Sequence, residues 1–194
     1  MRSIISVEEI VNIAVSVLAI SLALTFHEGG GLGIKPPTFI FFMGVFTITV
    51  GTGFVLHELA HKFVAMRYGA WAEFRAWPTG LVLMLVMAIL PIGFLFLAPG
   101  AVWIYSPHIT RRQNGIISVA GPVTNIILAL IFVGFSVIAP SNTLQRIAIL
   151  GAYVNSFLAF FNMIPIFPLD GSKVLAWDWK VWLLVIGISA LMAF

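Results

Sequence analysis

Long apolar runs, separated by short polar breaks, limit most strongly how this chain can fold. A helix needs roughly 20 apolar residues to cross the hydrocarbon core of a bilayer. Only 9% of the 194 residues are charged, whereas a soluble domain usually carries about 25%. We therefore predict an α-helical polytopic membrane protein with about five to six membrane segments, forming one membrane-embedded domain over residues 1–194. The predicted segments are about 7–26, 38–66, 80–105, 115–138, 144–163 and 181–194.

The distribution of basic residues predicts how these segments are oriented. If the N-terminus is cytoplasmic and 80–105 enters and leaves on one side, eight of the ten Lys and Arg residues are cytoplasmic. This asymmetry is typical of multi-pass proteins of the cell membrane. The alternative is that 80–97 crosses the membrane fully, which would place Arg111 and Arg112 outside. The re-entrant path is preferred because it keeps both arginines inside.

The stretch at about 70–106 is expected to be irregular or extended. Pro and Gly interrupt its apolar part repeatedly, and irregular backbone at membrane depth is tolerated only inside protein or along a cavity. A short β element is predicted at Ala101–Tyr105, where aromatic and β-branched residues concentrate. We therefore expect a re-entrant or β segment associated with the membrane.

Two classes of partner and site are excluded by composition. The chain has no cysteine, so it can form neither a disulfide framework nor a cysteine metal site. Its net charge is +3 and the basic residues are scattered along the chain, so no nucleic-acid partner is expected. The expected surroundings are the lipid bilayer.

The strongest chemical signal is the pentapeptide His57-Glu58-Leu59-Ala60-His61. Positions i and i+4 share a helix face, so both imidazoles can reach one metal ion, and zinc accepts such ligands. Glu58 adjoins the first ligand and can act as a general base towards water activated by the metal. Ionisable residues inside a membrane segment are costly and usually functional. The alternative interpretation is a polar cap just beyond the membrane.

A catalytic zinc site usually has three protein ligands and an open position. The chain contains only two Asp residues, Asp170 and Asp178, and the second is interpreted as a helix N-cap or an interface residue. Prolines before Asp170 and a glycine after it break the helix, which lets the backbone turn this carboxylate inward. From the residues alone Asp170 is preferred, while Glu73 and His108 remain open as alternatives. Glu8 and Glu9 are interpreted as acids that favour a helix N-terminus.

Three motifs in order resemble the site-2 protease family of intramembrane zinc metalloproteases. The first is 57–61, and the last is Asn162-x-x-Pro165-x-x-Pro168-Leu169-Asp170-Gly171. Between them, 120–125 is similar to the family's helix with small residues, Gly-Pro and Asn. The resemblance implies that His57, His61 and Asp170 hold one zinc ion per chain. It also implies a core of three helices, at about 38–66, 115–138 and 144–163.

The same resemblance implies an active site below the cytoplasmic surface and a strand segment that holds an extended substrate. The expected activity is hydrolysis of peptide bonds within transmembrane helices of substrate proteins. The alternative is a membrane metal-ion transporter or channel, since a His/Asp/Glu site within helices also suits metal permeation.

Three asparagine and glycine positions receive secondary interpretations. Asn162 can either bond a developing oxyanion or cap the broken end of its helix. Gly121 and Asn125 are interpreted as helix-packing residues, because small residues and amides let membrane helices approach and bond one another.

Overall fold

The computed structural model describes residues 4–90, 95, 97, 99–106 and 108–194. The chain divides into two compact units, Met1–Val55 with Glu73–Trp103 and Leu56–Ala72 with Ile104–Phe194. The prediction of a single domain stays a prediction. The elements in chain order are α1 (Val7–Gly29), α2 (Pro36–Phe46), α3 (Thr52–Arg67), β1 (Trp71–Ala76), α4 (Pro78–Ile89), β2 (Gly100–Tyr105), α5 (Arg111–Ile138), α6 (Asn142–Asn162), α7 (Asp170–Trp177) and α8 (Trp179–Ala193).

Four helices among the described residues are long and apolar enough to cross a membrane, which indicates a membrane protein. They are α1, the helix Pro36–Arg67, α5 and α6. Each coincides with a segment predicted from the apolar runs. Helices α4 and α8 are apolar but have only 12 and 15 residues. Four of the predicted five to six membrane segments therefore correspond to such helices, and the total number stays a prediction.

The helix Pro36–Arg67 combines α2 and α3 through a π-helical segment at Thr47–Gly51. At 1.5 Å per residue, its 32 residues span roughly 48 Å, which exceeds a hydrocarbon core of about 30 Å. Two threonine hydroxyls at the π segment, those of Thr47 and Thr49, donate to carbonyls four residues earlier at 2.7 and 2.8 Å. Such bonds compete with the regular ladder and bend helices.

Strands β1 and β2 pair into a two-stranded sheet. Strand β2 confirms the extended segment expected at Ala101–Tyr105, whereas β1 was not located separately by the sequence. A Cβ at Gly100 would lie 2.7 Å from the Phe74 ring and 2.8 Å from the Ala76 backbone, so only glycine allows this close approach. Within the predicted re-entrant segment 80–105, residues 91–94, 96 and 98 lie outside the described residues, and the re-entrant path stays a prediction.

In the first unit, polar side chains of α1 satisfy main-chain groups of β1. The Phe74 N–H donates to Glu9 Oε1 at 3.0 Å, and the Ala76 N–H donates to Asn12 Oδ1 at 3.4 Å. Glu8 and Glu9 both lie in the first turn of α1, as the sequence predicted. Glu9 does more than favour the helix N-terminus, because it is buried and holds the strand.

We predict that Glu9→Ala lowers the thermal unfolding midpoint in detergent clearly more than Glu8→Ala. Both changes remove an acid from the first turn, worth about 0.3–1 kcal/mol. Only Glu9→Ala also leaves a buried N–H group without its acceptor, which costs about 1–3 kcal/mol. Equal losses for the two variants would contradict a role of Glu9 in holding β1.

In the second unit, α5 packs against α6 and α7, and α8 packs against α6 and α7. Its buried core includes Met163, Val174 and Val185. Asp178 caps α8 and accepts from the Lys180 N–H at 2.8 Å, which confirms the interpretation of Asp178 as an N-cap.

Candidate metal centre

Three side chains of the second unit bring their metal-binding atoms together. His57 and His61 lie on α3, and Asp170 is the first residue of α7. Their possible ligand atoms all lie within 4.8 Å of one another, and all three residues are buried. Asp170 Oδ2 lies 3.4 Å from His57 Nε2 and 3.1 Å from His61 Nε2. The three residues that the sequence singled out as zinc ligands are therefore adjacent.

The other nitrogen of each imidazole is engaged by α5. His61 Nδ1 bonds the Ile117 carbonyl at 2.8 Å, and His57 Nδ1 bonds Asn125 Oδ1. When Nδ1 carries the proton and donates it, Nε2 keeps its lone pair for a metal. Both rings are thus oriented with Nε2 towards Asp170.

Gly121 is what permits α5 to lie this close to the histidines. Ile117, Gly121 and Asn125 follow one another at intervals of four, so they share one face of α5. A Cβ on Gly121 would lie 2.5 Å from the Nε2 atoms of both histidines. The sequence interpretation of Gly121 and Asn125 as packing residues was incomplete, because both contact the candidate ligands.

A tight turn at the start of α7 places Asp170. A Cβ on Gly171 would overlap the Met163 carbonyl, so this glycine lets α7 begin directly against the end of α6. Trp182 Nε1 donates to the same carbonyl at 2.8 Å and fixes that end. The prolines between Asn162 and Asp170 end α6 in the position that the sequence suggested.

The two oxygens of Asp170 have different partners. Oδ2 faces the histidines, while Oδ1 lies 3.4 Å from the Lys173 ammonium. Burial alone would raise the pKa of the Asp170 carboxyl, but the two imidazoles and the Lys173 ammonium outweigh burial and hold this pKa below its usual range. Oδ2 is therefore the Asp170 oxygen that is directed at the two Nε2 atoms.

The remaining sequence candidates lie in other surroundings. Glu58 is buried beside His57 on α3 but does not belong to the three-residue cluster found among the described residues. Asn162 is half-buried and its Nδ2 donates to the Leu158 carbonyl at 3.0 Å. Glu73 accepts from Ser6 Oγ at 3.0 Å and pairs with Arg75, and His108 is exposed.

The donor set fits zinc. Two imidazole nitrogens and one carboxylate oxygen form the kind of three-ligand set that catalytic zinc sites use, with one position left for water or substrate. The absence of a side chain at Gly121 keeps the space beside both Nε2 atoms open. The outer hydrogen bonds to Ile117 and Asn125 supply the orientation that such ligands need.

The chain is similar, over most of its length, to proteins named as zinc metalloproteases. A protein of Methanocaldococcus jannaschii named "Putative zinc metalloprotease MJ0611" is 42% identical over 93% of this chain and 90% of its own length. The similarly named YwhC of Bacillus subtilis is 31% identical over 69% of this chain and 68% of its own. A protein of Mycolicibacterium smegmatis named "Putative zinc metalloprotease Rip2" is 30% identical over 71% of this chain and 58% of its own length. No family profile matches the chain. No solved structure does either.

The chain belongs to this zinc metalloprotease family. The names of the relatives imply zinc, and His57, His61 and Asp170 are the possible metal site in this metalloprotease. The sequence located all three residues, whereas it missed the direct contact of Gly121 and Asn125 with the histidines. The four-residue spacing of Ile117, Gly121 and Asn125 was the available signal, but spacing alone does not identify the helix that this face meets.

We predict that Gly121→Ala weakens zinc binding by the metalloprotease about 10- to 100-fold, because an added methyl group in a tightly packed site typically costs about 1–3 kcal/mol. The matched control is Gly134→Ala on the same helix, where an added Cβ meets nothing within 4 Å. Zinc affinity is measured by competition with a chromogenic chelator in detergent. Equal affinity for the two variants would show that Gly121 does not limit the space at the ligands.

Proposed function

We propose that the chain is a site-2 protease-like intramembrane zinc endopeptidase, which hydrolyses peptide bonds within transmembrane helices of substrate proteins. The observation that carries this proposal is the convergence of His57, His61 and Asp170, with Glu58 buried on the same helical turn. Residues separated by more than a hundred positions form one ligand set. The family relationship supports a metalloprotease, and the order of the three motifs supports this subtype.

The helix that carries both histidines supports a site within the membrane. His57 and His61 belong to the apolar helix Pro36–Arg67, which is long enough to cross a bilayer. Polar groups on such a helix need partners in the protein, and both imidazoles have them. The asymmetry of basic residues supports a multi-pass protein of the cell membrane with the site towards the cytoplasm.

We propose separate roles in the reaction for the metal, Glu58 and Asn162. Zinc, when bound, supplies a Lewis acid that polarises a carbonyl and makes water more acidic. Glu58 accepts a proton from the attacking water and passes it to the leaving amine. Asn162 donates a hydrogen bond to the oxyanion through its Nδ2, whose second N–H group allows this bond beside the one to the Leu158 carbonyl.

The substrate must be extended at the bond that is cut, because a helix hides its carbonyls in internal hydrogen bonds. An extended peptide can pair with the edge of a strand. On β1 the Phe74 and Ala76 N–H groups already donate to Glu9 and Asn12. We propose that the substrate pairs with another edge position of the strand segment at about 70–106.

A metal transporter or channel is the competing function, and Glu58 distinguishes the two. A transport site would be expected to use a neighbouring carboxylate as a ligand. In the described residues, Glu58 lies outside the cluster formed by the two histidines and Asp170. A protease instead requires this carboxylate as a base that remains uncoordinated.

We predict that Glu58→Gln keeps zinc and reduces cleavage by at least about 10²–10⁴-fold, the usual contribution of general acid–base catalysis. Asp170→Ala is expected to weaken zinc binding and to abolish cleavage, because it removes a ligand. Bound zinc is measured by mass spectrometry on purified protein, and cleavage on a panel of transmembrane-helix substrates in detergent and in liposomes.

Glu28→Gln is the matched control, since Glu28 is an exposed carboxylate outside the candidate site. It is expected to cut at the wild-type rate. Equal cleavage by wild type and Glu58→Gln would refute the protease assignment. Zinc-dependent ion flux into liposomes that Glu58→Gln abolishes, without any peptide cleavage by wild type, would establish the transporter instead.

A further inference from the structure

Two buried asparagines extend the hydrogen-bond network of His57 across two further helices. Asn125 on α5 bonds His57 Nδ1 through its Oδ1, and its Nδ2 donates to Asn155 Oδ1 on α6 at 3.0 Å. Asn155 Nδ2 in turn donates to the Gly151 carbonyl at 2.8 Å. Both asparagine side chains are fully buried, with 0% exposure. Asn155 belongs to none of the motifs found in the sequence.

The direction of this chain of bonds is fixed at its far end. A backbone carbonyl can only accept, so the NH₂ group of Asn155 must be the one that faces Gly151. Asn155 Oδ1 then faces Asn125, so the NH₂ group of Asn125 must donate to it. Asn125 Oδ1 is left for His57, and because it can only accept, His57 Nδ1 must carry the proton.

The protonation of Nδ1 decides whether His57 can bind a metal. A neutral imidazole with its proton on Nδ1 has its lone pair on Nε2, the atom that faces Asp170. His61 reaches the same state more directly, because its Nδ1 bonds the Ile117 carbonyl. A backbone carbonyl therefore sets the tautomer of each histidine. For His61 the Ile117 carbonyl does so directly, whereas for His57 the Gly151 carbonyl does so through the amides of Asn155 and Asn125.

We propose that Asn155 is a positioning residue, which fixes the tautomer of His57 by holding the amide of Asn125 in one orientation. This inference rests on the proposed zinc site. Without the acceptor at 155, the Asn125 amide loses a bond that opposes its rotation, and a rotated amide presents its NH₂ group to His57. His57 Nδ1 would then accept, the proton would move to Nε2, and that nitrogen would no longer be a ligand.

Substitutions at 155 separate this role from a structural one. Asn155→Asp keeps an acceptor for Asn125, and when protonated its O–H group can still donate to Gly151. Asn155→Ser keeps a donor for the Gly151 carbonyl, but its side chain is too short to reach Asn125. Ser156→Ala is the matched control, because Ser156 is also buried and, among the described residues, its hydroxyl donates to Ala152 of its own helix.

The first measurement is the zinc affinity of the full chain in detergent, by chelator competition. Asn155→Ser is expected to lose about 10- to 100-fold in affinity, as is typical when an outer partner of a metal ligand is removed. Asn155→Asp and Ser156→Ala are expected to stay within a few fold of wild type. An equal loss in Asn155→Ser and Asn155→Asp, or no loss in Asn155→Ser, would overturn the proposal.

A second measurement tests whether Asn155 acts through Asn125. In an Asn125→Leu background, Asn155→Ser is expected to cause no additional loss of zinc affinity, because the path to His57 is already broken. Additive losses would overturn the proposal. At a zinc concentration that saturates the wild type, ¹⁵N-histidine NMR is expected to show the His57 proton on Nδ1 and Nε2 bound to the metal in wild type, and to show this pattern weakened in Asn155→Ser.

The two proposals can fail separately. If the wild type binds zinc but cuts no peptide, the proposed function fails, while the zinc affinities of the residue-155 variants still test the role of Asn155. If the wild type binds zinc and cuts, and Asn155→Ser keeps both the affinity and the tautomer, only the role of Asn155 is refuted.

Discussion

The candidate site depends on how one face of α5 meets the two histidines of α3. Gly121 leaves room beside both Nε2 atoms, while the residues four positions before and after it, Ile117 and Asn125, accept from the Nδ1 atoms. Orientation and access are thus supplied by one helix face. A side chain at Gly121 would occupy the space that the ligands need, and loss of either acceptor would release an imidazole from its orientation.

Asp170 completes the set from a different kind of element. The chain between α6 and α7 is broken by prolines, and Gly171 lets α7 start directly against the Met163 carbonyl. This arrangement places a carboxylate from a short helix against imidazoles from a long one. Lys173 holds the second oxygen, so the carboxylate directs only Oδ2 at the histidines. The geometry of the candidate site therefore rests on residues of the helices α3, α5 and α7.

The need to satisfy buried polar groups applies in both units of the chain. In an apolar solvent a buried polar group without a partner is costly, and several polar side chains of this chain satisfy other buried groups. In the first unit, Glu9 and Asn12 accept from main-chain N–H groups of β1. In the second, Asn125 and Asn155 link His57 to the Gly151 carbonyl. Each of these polar residues lies within an apolar helix and forms a hydrogen bond with a specific group.

The sequence by itself determined the four long apolar helices, the two histidines on one helix face and the preference for Asp170. Apolar runs, four-residue spacing and proline breaks are local properties, so they can be read without a fold. The contacts of Gly121, Asn125 and Asn155 depend on the tertiary structure alone. His57 and Asn125 are 68 positions apart, and Asn125 and Asn155 are 30 apart. No local pattern encodes which faces of α3, α5 and α6 meet, because that depends on how whole helices pack.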